Sequence, residues 1–277
     1  MICTAFELIN THNAVIHGDI RMQQQGKSPI ILILHGFRGS KNWGFFPYMA
    51  ETLAEHGAIT ITWNMSLNGY SAQSLFIDKP EDFARNTISE ELLDTQCIID
   101  ALYDATSSLY SMLSPYWNNK IYLIGHSRGA GIAILTAEKN PSIEKICLWN
   151  PISRFGRFSE RQKHTWKENG IFQVDETAEG MPIMMNYTYM EDLEFHGEQY
   201  SLIRSIRTLN ARTFIIHAEQ DMTVNLKEAK KLEAESEIVQ LQTISATGHI
   251  FGCTHPFTEP TIALQSAVEH TLSFFDL

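Results

Sequence analysis

The chain has 277 residues, a formal net charge of −11 and 44 % hydrophobic residues, enough to bury a large core in one domain with room for an insertion. So acidic a balance argues against nucleic acid, whose phosphates select basic surfaces, and against an anionic membrane. No apolar stretch approaches the ~20 residues of a membrane span.

In chain order, residues 5–22 read as two strands around a turn at Thr11-His12-Asn13. Ile30-Ile31-Leu32-Ile33-Leu34 is apolar throughout and stops at His35-Gly36. A run apolar on both faces suits a strand inside a parallel sheet. Residues 58–63, 121–124, 143–149, 213–217 and 239–244 read the same way. Helices are expected between them, at 43–56, 127–139, 226–236 and 260–274. Another is expected from Ile88 to Tyr110, with Ile88, Leu92, Ile99, Leu102 and Tyr103 on one face and Glu90, Asp94, Asp100 and Asp104 opposite. Alternating strands and helices predict an α/β fold with a mostly parallel central sheet of about eight strands flanked by helices.

Residues 152–206 break that rhythm, and the segment is too long for a plain connection. Arg154, Arg157, Arg161, Lys163 and Lys167 come early; Met181, Met184, Met185, Tyr187, Tyr189 and Met190 follow. The segment reads as a small, mostly helical cap inserted into a single domain and folded over the sheet edge. A surface excursion with its own small core is the alternative.

Ser127 lies in Gly125-His126-Ser127-Arg128-Gly129, between the strand at 121–124 and the helix at 127–139. Strand, G-x-S-x-G and helix together spell a nucleophile elbow. The turn is too sharp for ordinary side chains two residues either side of the serine, so glycine stands there. The following helix points N–H groups at any developing negative charge.

A serine hydroxyl needs a base, and the base an acid to hold it. After the serine, Thr213-Phe214-Ile215-Ile216-His217 reads as a buried strand that runs into the acidic turn Ala218-Glu219-Gln220-Asp221, which offers Asp221 and, nearer the strand, Glu219 as the acid. After the strand at 239–244 comes Ser245-Ala246-Thr247-Gly248-His249-Ile250-Phe251, where His249 is the candidate base. His255 lies further along the same loop and is the second choice. The oxyanion needs two N–H donors. Arg128, after the serine, should supply one, and Phe37 in His35-Gly36-Phe37-Arg38-Gly39 the other. His35 stands in the wrong loop for a base and is expected to brace the turn.

These segments, from residue 30 to residue 251, resemble those of the α/β-hydrolase superfamily. H-G-F, G-H-S-R-G, a strand followed by Asp and G-H-x-F all match. The chain looks most similar to the dienelactone hydrolase and cinnamoyl (feruloyl) esterase-like branch. Tyr189-Met190-Glu191-Asp192-Leu193 is similar to a stretch in that branch's cap, whereas Trp63-Asn64-Met65-Ser66-Leu67-Asn68-Gly69-Tyr70 departs from its D-x-R-G-H-G-x-S turn. The resemblance implies Ser127, Asp221 and His249 as triad, with backbone donors at Phe37 and Arg128. It implies hydrolysis of a carboxylic ester with a small or aromatic acyl group. A peptidase, a thioesterase or a non-catalytic small-molecule receptor remain the alternatives. Met184, Met185, Tyr187 and Tyr189 are the expected substrate contacts.

Cys3, Cys97, Cys147 and Cys253 are scattered without a C-x-x-C pair, which suits neither a disulfide framework nor zinc, so neither metal nor cofactor is expected. Met1 to Glu7 lack a basic stretch followed by an apolar one, and a cytoplasmic protein is expected. The expected partner is a small-molecule ester, with no nucleic acid or membrane; the sequence leaves the oligomeric state open.

Overall fold

The computed structural model describes residues 1–177 and 180–277. Eight strands form one sheet: β1 (Ile2–Ile9), β2 (Val15–Met22), β3 (Ser28–Leu34), β4 (Ile59–Trp63), β5 (Trp117–His126), β6 (Ile143–Trp149), β9 (Arg212–Ala218) and β10 (Val239–Ile244). Their spatial order is β1-β2-β4-β3-β5-β6-β9-β10. The β1–β2 and β2–β4 pairs are antiparallel and the rest are parallel, which makes the mostly parallel sheet the sequence predicts.

The apolar run of β3 shows why such strands carry no polar alternation. Side chains alternate across a strand. Ile30, Leu32 and Leu34 therefore enter the core on one face, while Ile31 and Ile33 enter the core on the other. The first face is covered by α3 (Ile88–Tyr103), α5 (Arg128–Lys139) and α9 (Leu226–Glu233), through residues such as Ile98, Ile132 and Leu232. The second is covered by α1 (Phe46–Glu55) and α10 (Ile262–Phe275), through Met49, Leu53, Leu264 and Val268. Each fully buried aliphatic side chain contributes about 1.5–3 kcal/mol. Short helices α2 (Pro80–Arg85) and α4 (Ser108–Leu113) complete this part.

Two expectations need correction here. The helix expected to reach Tyr110 ends at Tyr103, and α4 starts anew with Ser107 as its cap. Asp94, expected on the solvent face, is fully buried. It accepts hydrogen bonds from Asn10 Nδ2 at 2.7 Å and Ser66 N at 2.6 Å, partners that lie 84 and 28 residues away. Local periodicity cannot register such distant donors.

Residues 152–206 are mixed rather than mostly helical; residues 178 and 179 of this segment lie outside those described. Helix α6 (Glu160–Asn169) leads into the antiparallel pair β7 (Ile171–Glu176) and β8 (Pro182–Asn186). Then come α7 (Thr188–His196), a short 3-10 turn and α8 (Leu202–Thr208). The Ser159–Gln162 capping box starts α6 and left-handed Gly170 ends it, so the chain turns directly into β7. Asp192 of α7 accepts from Ser89 N at 3.0 Å and from the Ser89 hydroxyl, which anchors the segment on the first turn of α3. Among the described residues no helix is long and apolar enough to cross a membrane.

Candidate active site

The parallel strands end along one edge of the sheet, where open α/β sheets hold their ligands. Ser127 sits between the end of β5 and the start of α5 with φ 56° and ψ −116°. A serine held at positive φ is strained, and such strain persists where surrounding structure enforces it. Here the enforcement is steric and specific. A Cβ on Gly125 would stand 2.4 Å from the Gly129 carbonyl oxygen, and one on Gly129 would stand 2.4 Å from the His35 carbonyl oxygen. The glycines thus let the turn of α5 close onto β5 and onto the end of β3. Ser127 N–H donates to Trp149 O at 2.9 Å, which pins the turn to β6.

Asp221 lies just past β9 and is 2 % exposed. Its Oδ1 accepts from Thr223 N and Val224 N, both at 2.8 Å, while Oδ2 lies 2.6 Å from His249 Nδ1. Burial pushes this carboxyl up. The His249 hydrogen bond and charge, with the two backbone donors, outweigh burial and hold it below its ordinary value. Glu219 is exposed and accepts from the Thr243 hydroxyl at 3.0 Å, away from His249.

His255 is committed elsewhere. Its Nδ1 accepts from Gly44 N at 3.0 Å, its Nε2 donates to Leu75 O at 2.5 Å, and its ring stacks on Trp43 with centroids 5.3 Å apart. With both nitrogens engaged it has none free to take a proton from Ser127.

Ser127 and His249 line one cavity of about 1070 Å³. Among the described residues the Ser127 hydroxyl makes no hydrogen bond to His249; such bonds commonly tighten only with substrate in place. Phe37 and Arg128 border the same cavity, and neither backbone N–H has an acceptor among the described residues.

The loop carrying Phe37 is held by the segment that departs from the related pattern. His35 Nδ1 donates to Gly36 O at 2.9 Å, and its Nε2 accepts from Met65 N at 3.2 Å, the bracing role expected for it. Asn68 Nδ2 donates to Gly39 O at 3.1 Å, and the Tyr70 hydroxyl donates to Arg38 O at 2.7 Å. Burial lowers the His35 imidazole to about 4, so it stays neutral while it accepts from Met65.

The structure divides the four expected substrate contacts. Met185 and Tyr189 line the cavity; Met184 and Tyr187 do not. Alternation along β8 explains the methionines, since Ile183 and Met185 face inward and Met184 the other way. Tyr187 instead turns its hydroxyl toward Glu194, 3.3 Å away. The inner wall also includes Ile152, Phe155, Phe158 and Val174. At the rim, Arg38 of the Phe37 loop pairs with Asp175 of β7.

Sequence reasoning saw only the backbone of Arg128. Its side chain is 7 % exposed, pairs with fully buried Glu91 of α3 and lies 4.6 Å from the centroid of the Phe37 ring. Burial pushes the Glu91 carboxyl up, and the guanidinium opposes that. A long cation inside an elbow was the available signal, but its partner lies 37 residues earlier. Among the described residues no group of three His, Cys, Asp or Glu side chains is placed to hold a metal ion.

Comparison with known proteins agrees with this fold. The family model described as alpha/beta hydrolase fold matches residues 29–201. No curated protein matches significantly. Est1E from Butyrivibrio proteoclasticus, solved with ferulic acid bound, is similar with a TM-score of 0.71 at 17 % identity, over 99 % of this chain and 100 % of that one. The alpha/beta hydrolase GrgF from Penicillium gives 0.71 at 13 % identity, over 100 % and 98 %. A dienelactone hydrolase from Anabaena variabilis gives 0.62 at 14 %, over 99 % and 97 %. At these identities the likeness establishes the fold.

Proposed function

The chain belongs to the alpha/beta hydrolase fold family, and on that premise we propose that it is a serine hydrolase of carboxylic esters. The observation that carries the reading is the 2.6 Å Asp221–His249 contact beside a serine held at φ 56° on the same cavity. Ser127 Oγ attacks the ester carbonyl carbon while His249 Nε2 takes its proton. Asp221 keeps the Nδ1 proton in place and stabilises the imidazolium. The carbonyl oxygen becomes an oxyanion facing the N–H groups of Phe37 and Arg128. When the intermediate collapses, His249 returns the proton to the departing alkoxide. A water activated by His249 then releases the acid from Ser127.

Apolar lining with a few polar anchors is what a small-molecule pocket usually needs. The wall of Ile152, Phe155, Phe158, Met185 and Tyr189 therefore favours a small or aromatic acyl group without charge. Residues 152–206 act as the cap in this reading, and esters from Est1E-like and dienelactone hydrolase-like chemistry are the first to try.

The test is Ser127→Ala with a fluorophosphonate probe and p-nitrophenyl esters. Wild type should be labelled at Ser127, and the variant should lose labelling and several orders of magnitude in turnover. Undiminished labelling of the variant would refute the assignment. Parallel assays on thioesters and dipeptide amides should run well below the esters; the opposite ranking would move the enzyme to another acyl class.

A further inference from the structure

We propose that Asn150 is a positioning residue that holds His249 by its main chain, an inference resting on the role given to His249 above. Asn150 directly follows β6, is fully buried and has φ 46°. Asparagine enters the positive-φ region more readily than most side-chain-bearing residues, so the turn accepts it while its amide reaches the neighbouring strand and loop. Its N–H donates to Ile216 O at 2.9 Å. Its Oδ1 accepts from Ala218 N at 2.7 Å, and its Nδ2 donates to His249 O at 2.7 Å. The partners dictate the amide's orientation, since a backbone N–H can only donate and a carbonyl only accept.

His126 Nε2 donates to the same His249 carbonyl at 2.9 Å. The ends of β5, β6 and β9 thus converge on the backbone of the base, while Asp221 holds the other end at ring Nδ1. Two separated anchors fix both the position of the residue and the direction of its ring. Nε2 is then directed without help from substrate. Only a planar amide supplies an acceptor and a donor at this spacing. Aspartate would set an oxygen against the His249 carbonyl, and alanine would leave that carbonyl with one donor and Ala218 N–H with none.

Asn150→Ala and Asn150→Asp test this, with turnover expressed per serine titrated by fluorophosphonate. We expect kcat to fall on the order of 10–100-fold in each, with KM within about twofold. In a His249→Ala background, adding Asn150→Ala should cost under about twofold more, because groups acting through one base are not additive. A second readout needs no turnover: the low-field Nδ1 proton of the His249–Asp221 hydrogen bond, assigned by its loss in His249→Ala, should broaden or vanish in Asn150→Ala. Should either variant fail to fold, His126→Phe removes the other donor to the same carbonyl and should weaken the same resonance. Unchanged kcat per titrated serine, a full additive loss without His249, or an unaltered low-field proton would each overturn the proposal. An unreactive wild-type serine would instead defeat the proposed function, and the proton resonance would still decide the role of Asn150.

Discussion

Acidification should destabilise this protein through two imidazoles buried as neutral groups, and His126 isolates the effect. Burial, with the charge of His249 second, lowers the His126 imidazole from its ordinary 6.5 to about 3; the hydrogen bond to the His249 carbonyl only partly opposes this. His35 falls to about 4, again chiefly through burial. Between the folded and unfolded values the unfolded chain binds more protons, so stability falls as pH falls. The contribution is level above about pH 6.5, declines below it, and flattens only once the folded imidazole itself protonates near pH 3 or 4. One pKa unit is worth about 1.4 kcal/mol, so at about pH 5 each group costs roughly 2 kcal/mol relative to about pH 7.5. Wild type should therefore lose roughly 4 kcal/mol from this pair over that interval. His126→Phe keeps an aromatic ring against Phe45 and Phe46 and cannot titrate. Urea unfolding at the two pH values should show the variant losing about 2 kcal/mol less than wild type, other groups being common to both. Equal losses would show that folded His126 titrates like a solvated histidine, and the argument from burial would fail.

Asp221→Asn and His249→Ala should each cost on the order of 10³-fold or more in ester turnover, whereas Glu219→Gln and His255→Ala should cost under about tenfold. The same kinetics would refute the triad if His255→Ala were dead and His249→Ala active. Met185→Ala and Tyr189→Ala should shift the ratio of short-chain to aromatic-ester turnover while fluorophosphonate labelling persists. Met184→Ala and Tyr187→Ala should leave that ratio alone, and a shift there would place the acyl wall elsewhere. Gly129→Ala should destabilise by about 3 kcal/mol or more in urea unfolding, since its Cβ would meet backbone oxygens that cannot move aside; a loss below about 1 kcal/mol would contradict the steric account of the elbow.

The strands and the order of chemical groups were legible in the sequence because both are local signals. An apolar run such as Ile30–Leu34 reports burial on two faces through its own residues. Gly125 and Gly129 report a close approach through the absence of a Cβ. Asp221 and His249 could be named because each follows a recognisable strand by a few residues. What supports them could not be. Asn150 looks like an ordinary residue after a strand until β9 and the His249 loop are laid beside it. Asp94 looks like a solvent-facing carboxylate on α3 until Asn10 and Ser66 arrive from elsewhere in the chain, and nothing local to Glu91 announces Arg128 as its partner. Between Met184 and Met185 the choice depended on which face of β8 turns inward, which the packing of the β7–β8 hairpin over the cavity settles. Periodicity and turn chemistry act over a few residues and so can be read along the chain. The pairing of a buried polar group is decided by whatever donor or acceptor the fold brings within about 3 Å, and only tertiary structure sets that.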